Sequence, residues 1–136
     1  LALAKFTTTL AQVSVPRVNL IAGAAYGTAA EVMNSKAIGA DFVLAWPQAS
    51  VGMMDAEQAV RIMYAEEIDA DDDKMALIAE KTAEYAEGQS SALAAAKRGY
   101  VDDIIEPDAT RKRLIAAYEM LYGKKVTPVT KKHTAV

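Results

Sequence analysis

Two short apolar runs, RVNLIAG at residues 17–23 and DFVLAWP at residues 41–47, constrain this chain's fold more than anything else in it. Each is too short for a helix and closes on a breaker, Gly23 or Pro47, as expected of a strand buried on both faces. Such strands need helices to cover them, and parallel neighbours need a long crossover between them. The intervening stretch is crowded with small residues and then helix-permissive from about residue 29 to 37, with Gly39 as a C-cap. The stretch ASVGMM reads as a third strand, after which Asp55 caps a helix running through Ile62 and Met63. The order β-α-β-β-α predicts an α/β fold with crossover units.

The flanks read as helices and one more strand. Leu3, Phe6, Leu10 and Val13 share a helical face that stops before Pro16. The acidic run EEIDADDDK suits a helix start, followed by a stripe at Met75, Ile78, Ala79, Thr82 and Ala86. Ser90 or Ser91 caps a short helix through Lys97, and RGYVDDIIEP is a strand between Gly99 and Pro107. Asp108 starts a last helix with apolar positions Leu114, Tyr118 and Leu121, and Gly123 ends it before a basic tail at residues 124–136 that lacks a packing pattern. No internal repeat and no linker divides residues 1–136, so one domain is expected.

Composition excludes several classes of function. With 136 residues, 52% of them hydrophobic, the chain can bury a core without staples. A net charge of -3 leaves no basic field for displacing counterions from nucleic acid. The absence of cysteine removes disulfides, thiolate zinc sites and Cys nucleophiles, and suits a cytoplasmic protein. No apolar run approaches the roughly 18 residues needed to cross a bilayer. The chain opens with Leu1 and runs as if a helix were already under way, so it reads as a segment of a longer subunit.

The familiar catalytic inventories are missing. The single histidine, His133, lies in the tail, where a Ser-His-Asp relay or a histidine metal site would hang on an unanchored group. Asp69, Asp71, Asp73 and Glu80 have the carboxylate spacing of an EF-hand, but Lys74 stands where that loop needs glycine. A solvated helix start explains them, and no metal site is expected. What remains is the turn at residues 24–33, where Gly23, Ala24, Ala25, Gly27, Ala29 and Ala30 crowd between a strand and a helix. Peptide N–H groups at a helix start are unpaired within the helix, so they can steady an oxyanion without any titratable residue. Such turns also serve plain helix–strand packing, and the residues alone leave both readings open.

The stretch VPRVNLIAGAAYGTAAEVMNSKAIGADFVLAWPQASVGMM, then RGYVDDIIEPDATRKRLIAAYEML and a closing KKH, resembles the C-terminal half of biotin-dependent acyl-CoA carboxyltransferase subunits. That family includes propionyl-CoA carboxylase β subunits and the α subunits of sodium-pumping methylmalonyl-CoA or glutaconyl-CoA decarboxylases. The likeness runs from about Val15 to His133 and rests on the AYG-x-A turn, the AWP strand end, the RGYVD strand and the KKH terminus in the family's order. It implies a crotonase-like ββα superhelix of the ClpP/crotonase class, here as its second, C-terminal copy. In the family that copy holds biotin, the first copy of a neighbouring subunit holds the acyl-CoA, and the oligomer is built through both. The implied partners are a biotin carboxyl carrier protein, acyl-CoA and further copies of the subunit. A decarboxylase would reach a membrane through other subunits.

By position, the resemblance makes the backbone N–H groups of Thr28 and Ala29 the oxyanion hole for the biotin enolate. Family members commonly have glycine in place of Thr28, and its β-branched side chain narrows the pocket. Glu31 falls where the family often has an aspartate tied to acyl-chain choice, although it also reads as a first-turn acid meeting the helix dipole. Tyr26 and Gly27 read first as shaping the turn, and by the resemblance they stand among the substrate- and biotin-binding residues. Trp46 and Pro47 line the biotin cleft by resemblance, or belong to the core. Met53 and Met54 read as packing. The expected activity is carboxyl transfer between biotin and an acyl-CoA, absent from the isolated segment. Two other readings stay open: a fragment of a stand-alone crotonase acting as acyl-CoA hydratase or isomerase, and a non-catalytic half that completes a dimer.

Overall fold

The computed structural model describes residues 1–125. The tail residues expected to carry His133 and the KKH terminus lie outside the described residues.

Both apolar runs are strands, and they lie side by side in parallel. β1 (Val18–Ile21) pairs with β3 (Phe42–Ala45) in the register Val18 with Phe42, and β3 pairs with β5 (Asp103–Ile104), also in parallel. A second parallel sheet joins β2 (Ala24–Tyr26) to β4 (Ser50–Gly52). The chain therefore leaves the three-stranded sheet after Ile21, crosses Gly23 into the two-stranded one, and enters α2 (Gly27–Val32). It repeats the move from β3 through β4 into α3 (Ala56–Met63). The two corners are stitched together, with Trp46 N–H donating to Ile21 O at 3.0 Å and Ser50 N–H to Gly23 O at 3.2 Å. These are two successive ββα units, so the chain does contain a repeat. It lies in the backbone path, because the paired strands share burial requirements but no residue pattern.

The expected helix over residues 29–37 is broken. α2 starts earlier, at Gly27, and stops at Val32; Asn34 turns left-handed at φ 64, and a separate 3-10 turn spans Lys36–Ile38. Gly39 follows at φ 95, the left-handed C-cap that the sequence implied. Asp55 caps α3 by accepting from Glu57 N–H at 3.0 Å. The acidic run is split between α4 (Ala65–Ala70) and the Asp73 cap of α5 (Lys74–Tyr85), whose side chain accepts from Ala76 N–H. In α5 the buried face is Ile78 with Leu77 and Tyr85, while Met75 and Ala79 point outward. Asp69 pairs with Lys74 and Asp71 accepts from Asp73 N–H, so these carboxylates serve the helix junction.

α5 runs into a π-helical turn, Ala86–Ser90, and Ser91 caps α6 (Ala92–Lys97). The long strand expected before Pro107 shrinks to two residues, preceded by Asp102, whose N–H and carboxylate both bond Val43 of β3. Pro107–Ala109 form a 3-10 turn ahead of α7 (Thr110–Leu121). α1 (Ala2–Gln12) precedes β1. Lys124, expected in an unpacked tail, bridges to Asp41 at 2.8 Å and belongs to the body of the fold.

Two cores result. Val43, Ala45 and Ala49 meet Ala92, Ala95 and Val101, where alanines let α6 lie close on the strands. A separate helical cluster joins Val60, Ile68 and Ile78 across α3, α4 and α5.

Candidate functional site

The site is built at the turn from β2 to α2. Tyr26 is extended, at φ -119 and ψ 143, and Gly27 reverses the chain at φ 59. A Cβ on Gly27 would stand 3.1 Å from the Met53 carbonyl oxygen, so both conformation and space demand glycine. Thr28 and Ala29 are the second and third residues of α2. Four residues back lie Ala24 and Ala25, which are in β2, so neither amide has an i−4 helical acceptor. No side chain caps this helix, and neither amide bonds to a group outside it among the described residues. Asn34 is the only non-glycine residue with positive φ among those described, so Thr28 sits in the helix without left-handed strain.

Beside the turn lies a cleft of about 1060 Å³. Tyr26, Gly27, Ala29 and Glu31 all line it; Thr28 is exposed next to it and does not. Tyr26 O–H donates to Ser50 Oγ at 2.9 Å and fixes the ring in the cleft wall. Glu31 accepts from Ser35 O–H at 3.3 Å. Because α2 begins at Gly27, Glu31 is in the second turn, so the first-turn dipole reading is corrected and its carboxylate is a cleft group.

Trp46 and Pro47 are not brought to this cleft. Trp46 lines a separate groove of about 790 Å³ against Leu114, Ile115 and Tyr118 of α7, and its Nε1–H donates to Thr110 Oγ at 2.9 Å. Pro47 is exposed and lines neither space. Met53, expected to pack, is 79% exposed and stands on the cleft rim, because the chain leaves β4 there before reaching the Asp55 cap. Sequence reasoning also missed the wall formed by Tyr85, Gln89 and Ser90, which lies some sixty residues from the turn and carries no local signal.

The charged groups of the cleft are already engaged. Lys36 pairs with Asp102, and Arg98 donates to the Gln89 carbonyl at 2.8 Å and to its side chain. Among the described residues no group of three or more His, Cys, Asp or Glu could hold a metal ion. Two main-chain amides left without helical acceptors at the start of α2 can receive negative charge.

Strands of two parallel sheets, each ββα unit feeding the next, define an α/β protein of the crotonase-like class. The chain belongs to the carboxyl transferase domain family, which matches residues 2–136. It is 43% identical over 130 residues to the propionyl-CoA carboxylase carboxyltransferase subunit of Haloferax mediterranei, covering 96% of this chain and 25% of that one. It is 41% identical to the methylmalonyl-CoA decarboxylase subunit alpha of Propionigenium modestum, again over 96% of this chain and 25% of the relative. The crystal structure of transcarboxylase 12S, a hexamer with methylmalonyl-coenzyme A and methylmalonic acid bound, superposes with a TM-score of 0.91 at 38% identity, covering 98% of this chain and 26% of that one. This chain thus spans about a quarter of the length of the relatives it matches. No helix among the described residues is long and apolar enough to cross a membrane.

Proposed function

We propose that this chain is the biotin-facing, C-terminal part of an acyl-CoA carboxyltransferase, moving a carboxyl group between biotin on a carrier protein and an acyl-CoA. The observation that carries the reading is the pair of amides at Thr28 and Ala29, uncapped and beside an open cleft, in a chain of the carboxyl transferase family. Biotin, when bound, supplies the ureido nitrogen that carries the carboxyl group.

The residues present fit such a group. The alanines lining the turn leave the backbone open to a ring, and Tyr26 offers no side-chain cap that would compete for the amides. As the carboxyl group moves, negative charge gathers on a carbonyl oxygen, and the two amides hold it without reorganising. That division of labour explains why no unpaired base is needed in the cleft. Glu31, on the cleft wall, limits the acyl chain that can be accepted. Transcarboxylase 12S is a hexamer, which supports assembly of this chain with copies of its own kind.

The test is complementation. Combining the chain with the missing acyl-CoA-holding part, as one polypeptide, should give carboxyl transfer from methylmalonyl-CoA to free biotin, while the chain alone gives none. A folded, assembled fusion without transfer activity would overturn the reading.

A further inference from the structure

Helix α7 carries two stripes set one residue apart, and the fold uses only one of them. Thr110, Leu114, Ala117 and Leu121 form the inner stripe, buried or half-buried where α7 packs on β1. Arg111, Ile115, Tyr118 and Tyr122 form the outer one, with the same spacing of four, three and four residues, and all four are exposed. That spacing is what one helix presents to another. No element among the described residues covers it: Ile115 is 50% exposed, Tyr118 47% and Tyr122 92%. Beside the stripe runs the groove whose wall is Trp46, so aromatic side chains and an arginine share one open face, the residue types enriched at the centre of protein interfaces.

The charges on this face indicate what covers it. Arg111 and Glu119 both line the groove, and neither has an ion pair among the described residues. Eight residues of helix, about 12 Å, separate them, too far for them to meet each other. A stripe with opposite charges at its two ends and apolar side chains between them is complementary to itself turned end for end. With two α7 helices antiparallel about a two-fold axis at Ile115, Arg111 falls level with the partner's Glu119, and Tyr122 with the partner's Asp108. The symmetry forms each pair twice. The partner's Tyr118 comes level with Lys112, within a turn of Thr110, where the Trp46 Nε1–H is held.

We propose that the outer stripe of α7 and the Trp46 groove form an isologous interface, on which a second copy of this chain lays its own α7 antiparallel. The interface gives a surface to assembly with copies of its own kind. It needs nothing from the cleft beside α2, so the two readings fail separately.

The experiment is sedimentation velocity of the full chain over a range of concentrations. The wild type is compared with Ile115→Lys, Arg111→Glu, Glu119→Arg, the double charge reversal, and an equimolar mixture of the two single reversals. The wild type should dimerise and Ile115→Lys should remain monomeric. Each single reversal sets like charges opposite each other at both ends, and should raise the dimer Kd about tenfold or more at low salt and less at high salt. The double reversal restores opposite charges and should return the Kd to within about threefold of the wild type. The mixture should form a heterodimer tighter than either variant forms with itself. Unfolding of a variant would not be rescued by mixing, so that arm separates a lost interface from a lost fold. A wild type that is monomeric throughout, a Kd unmoved by the single reversals, or a mixture no tighter than its components overturns the proposal.

Discussion

Lys124 Nζ lies 2.8 Å from the Asp41 carboxylate, so a residue beyond the end of α7 is locked to the start of β3. The same ammonium donates to the Val15 carbonyl at 3.3 Å, and Asp41 also accepts from Arg17 N–H at 2.7 Å. Burial alone would push the Asp41 carboxyl up, but the Lys124 and Arg17 hydrogen bonds together with both nearby positive charges outweigh it, and its pKa falls below the usual 3.8.

A carboxylate whose pKa is lower folded than unfolded contributes stability that is fully present above the unfolded value and is lost as pH falls through the folded one. The unfolding midpoint should therefore drop as pH falls below 3.8, and Asp41→Asn should flatten that drop. At neutral pH, Asp41→Asn and Lys124→Met should each cost about 1–2 kcal/mol, between the values for surface and buried pairs. Denaturant titrations at several pH values check both statements.

Asp102 does a comparable job at the edge of β5. Its carboxylate accepts from Val43 N–H at 2.9 Å and pairs with Lys36, while its own N–H donates to Val43 O at 2.8 Å. Val43 is 2% exposed, so its amide has no water to turn to. Asp102→Ala should destabilise the chain by about 1–3 kcal/mol, and Asp102→Asn, which keeps an acceptor, by clearly less. Equal losses for the two variants would mean that the Lys36 pair, and not the Val43 bond, is what matters.

What could be read from the sequence was whatever rests on neighbours in the chain. β1 and β3 announced themselves through continuous apolar runs, and Asp55, Ser91 and Gly39 through cap chemistry. β2 did not, because Ala24, Ala25 and Tyr26 carry no strand signal and are extended only by pairing with Ser50, Val51 and Gly52. The helix break at Asn34 was equally silent, since asparagine tolerates left-handed backbone without requiring it. The small-residue turn at Gly27 was legible as a place where a ligand could meet backbone. The far wall of its cleft was not, because Ser90 reaches it through a π turn that only tertiary packing reveals. Trp46 is a second case: its N–H goes to Thr110, sixty-four positions away, and its ring lines a groove against α7, which no local pattern indicates.

The helical cluster of α3, α4 and α5 is a second core with little to spare. Val60 is fully buried against Ile68 and Ile78, with Tyr64 and Tyr85 closing the sides. Val60→Ala should cost about 2 kcal/mol through lost burial and an unfilled cavity. Because Tyr85 also lines the cleft beside α2, loosening this cluster should broaden the amide resonances of Gln89 and Ser90 as well. A stability loss without that broadening would show that the cleft wall is held by α6 and β4 alone.

Substitution can separate the amide of residue 28 from its side chain. Thr28→Ala keeps the N–H and removes the branched side chain, so carboxyl transfer by the completed enzyme should be maintained. Thr28→Pro removes the N–H while proline remains tolerated in a first helical turn, so turnover should fall about a hundredfold or more. Proline at 28 also restrains Gly27, which must hold φ 59, so the unfolding midpoint has to be measured beside the rate. Ala29→Pro, one residue further from that glycine, is the companion variant, and it should lose turnover to a similar degree with less effect on stability. If both proline variants stay folded and transfer carboxyl groups at the wild-type rate, the amides at the start of α2 do not hold the developing charge.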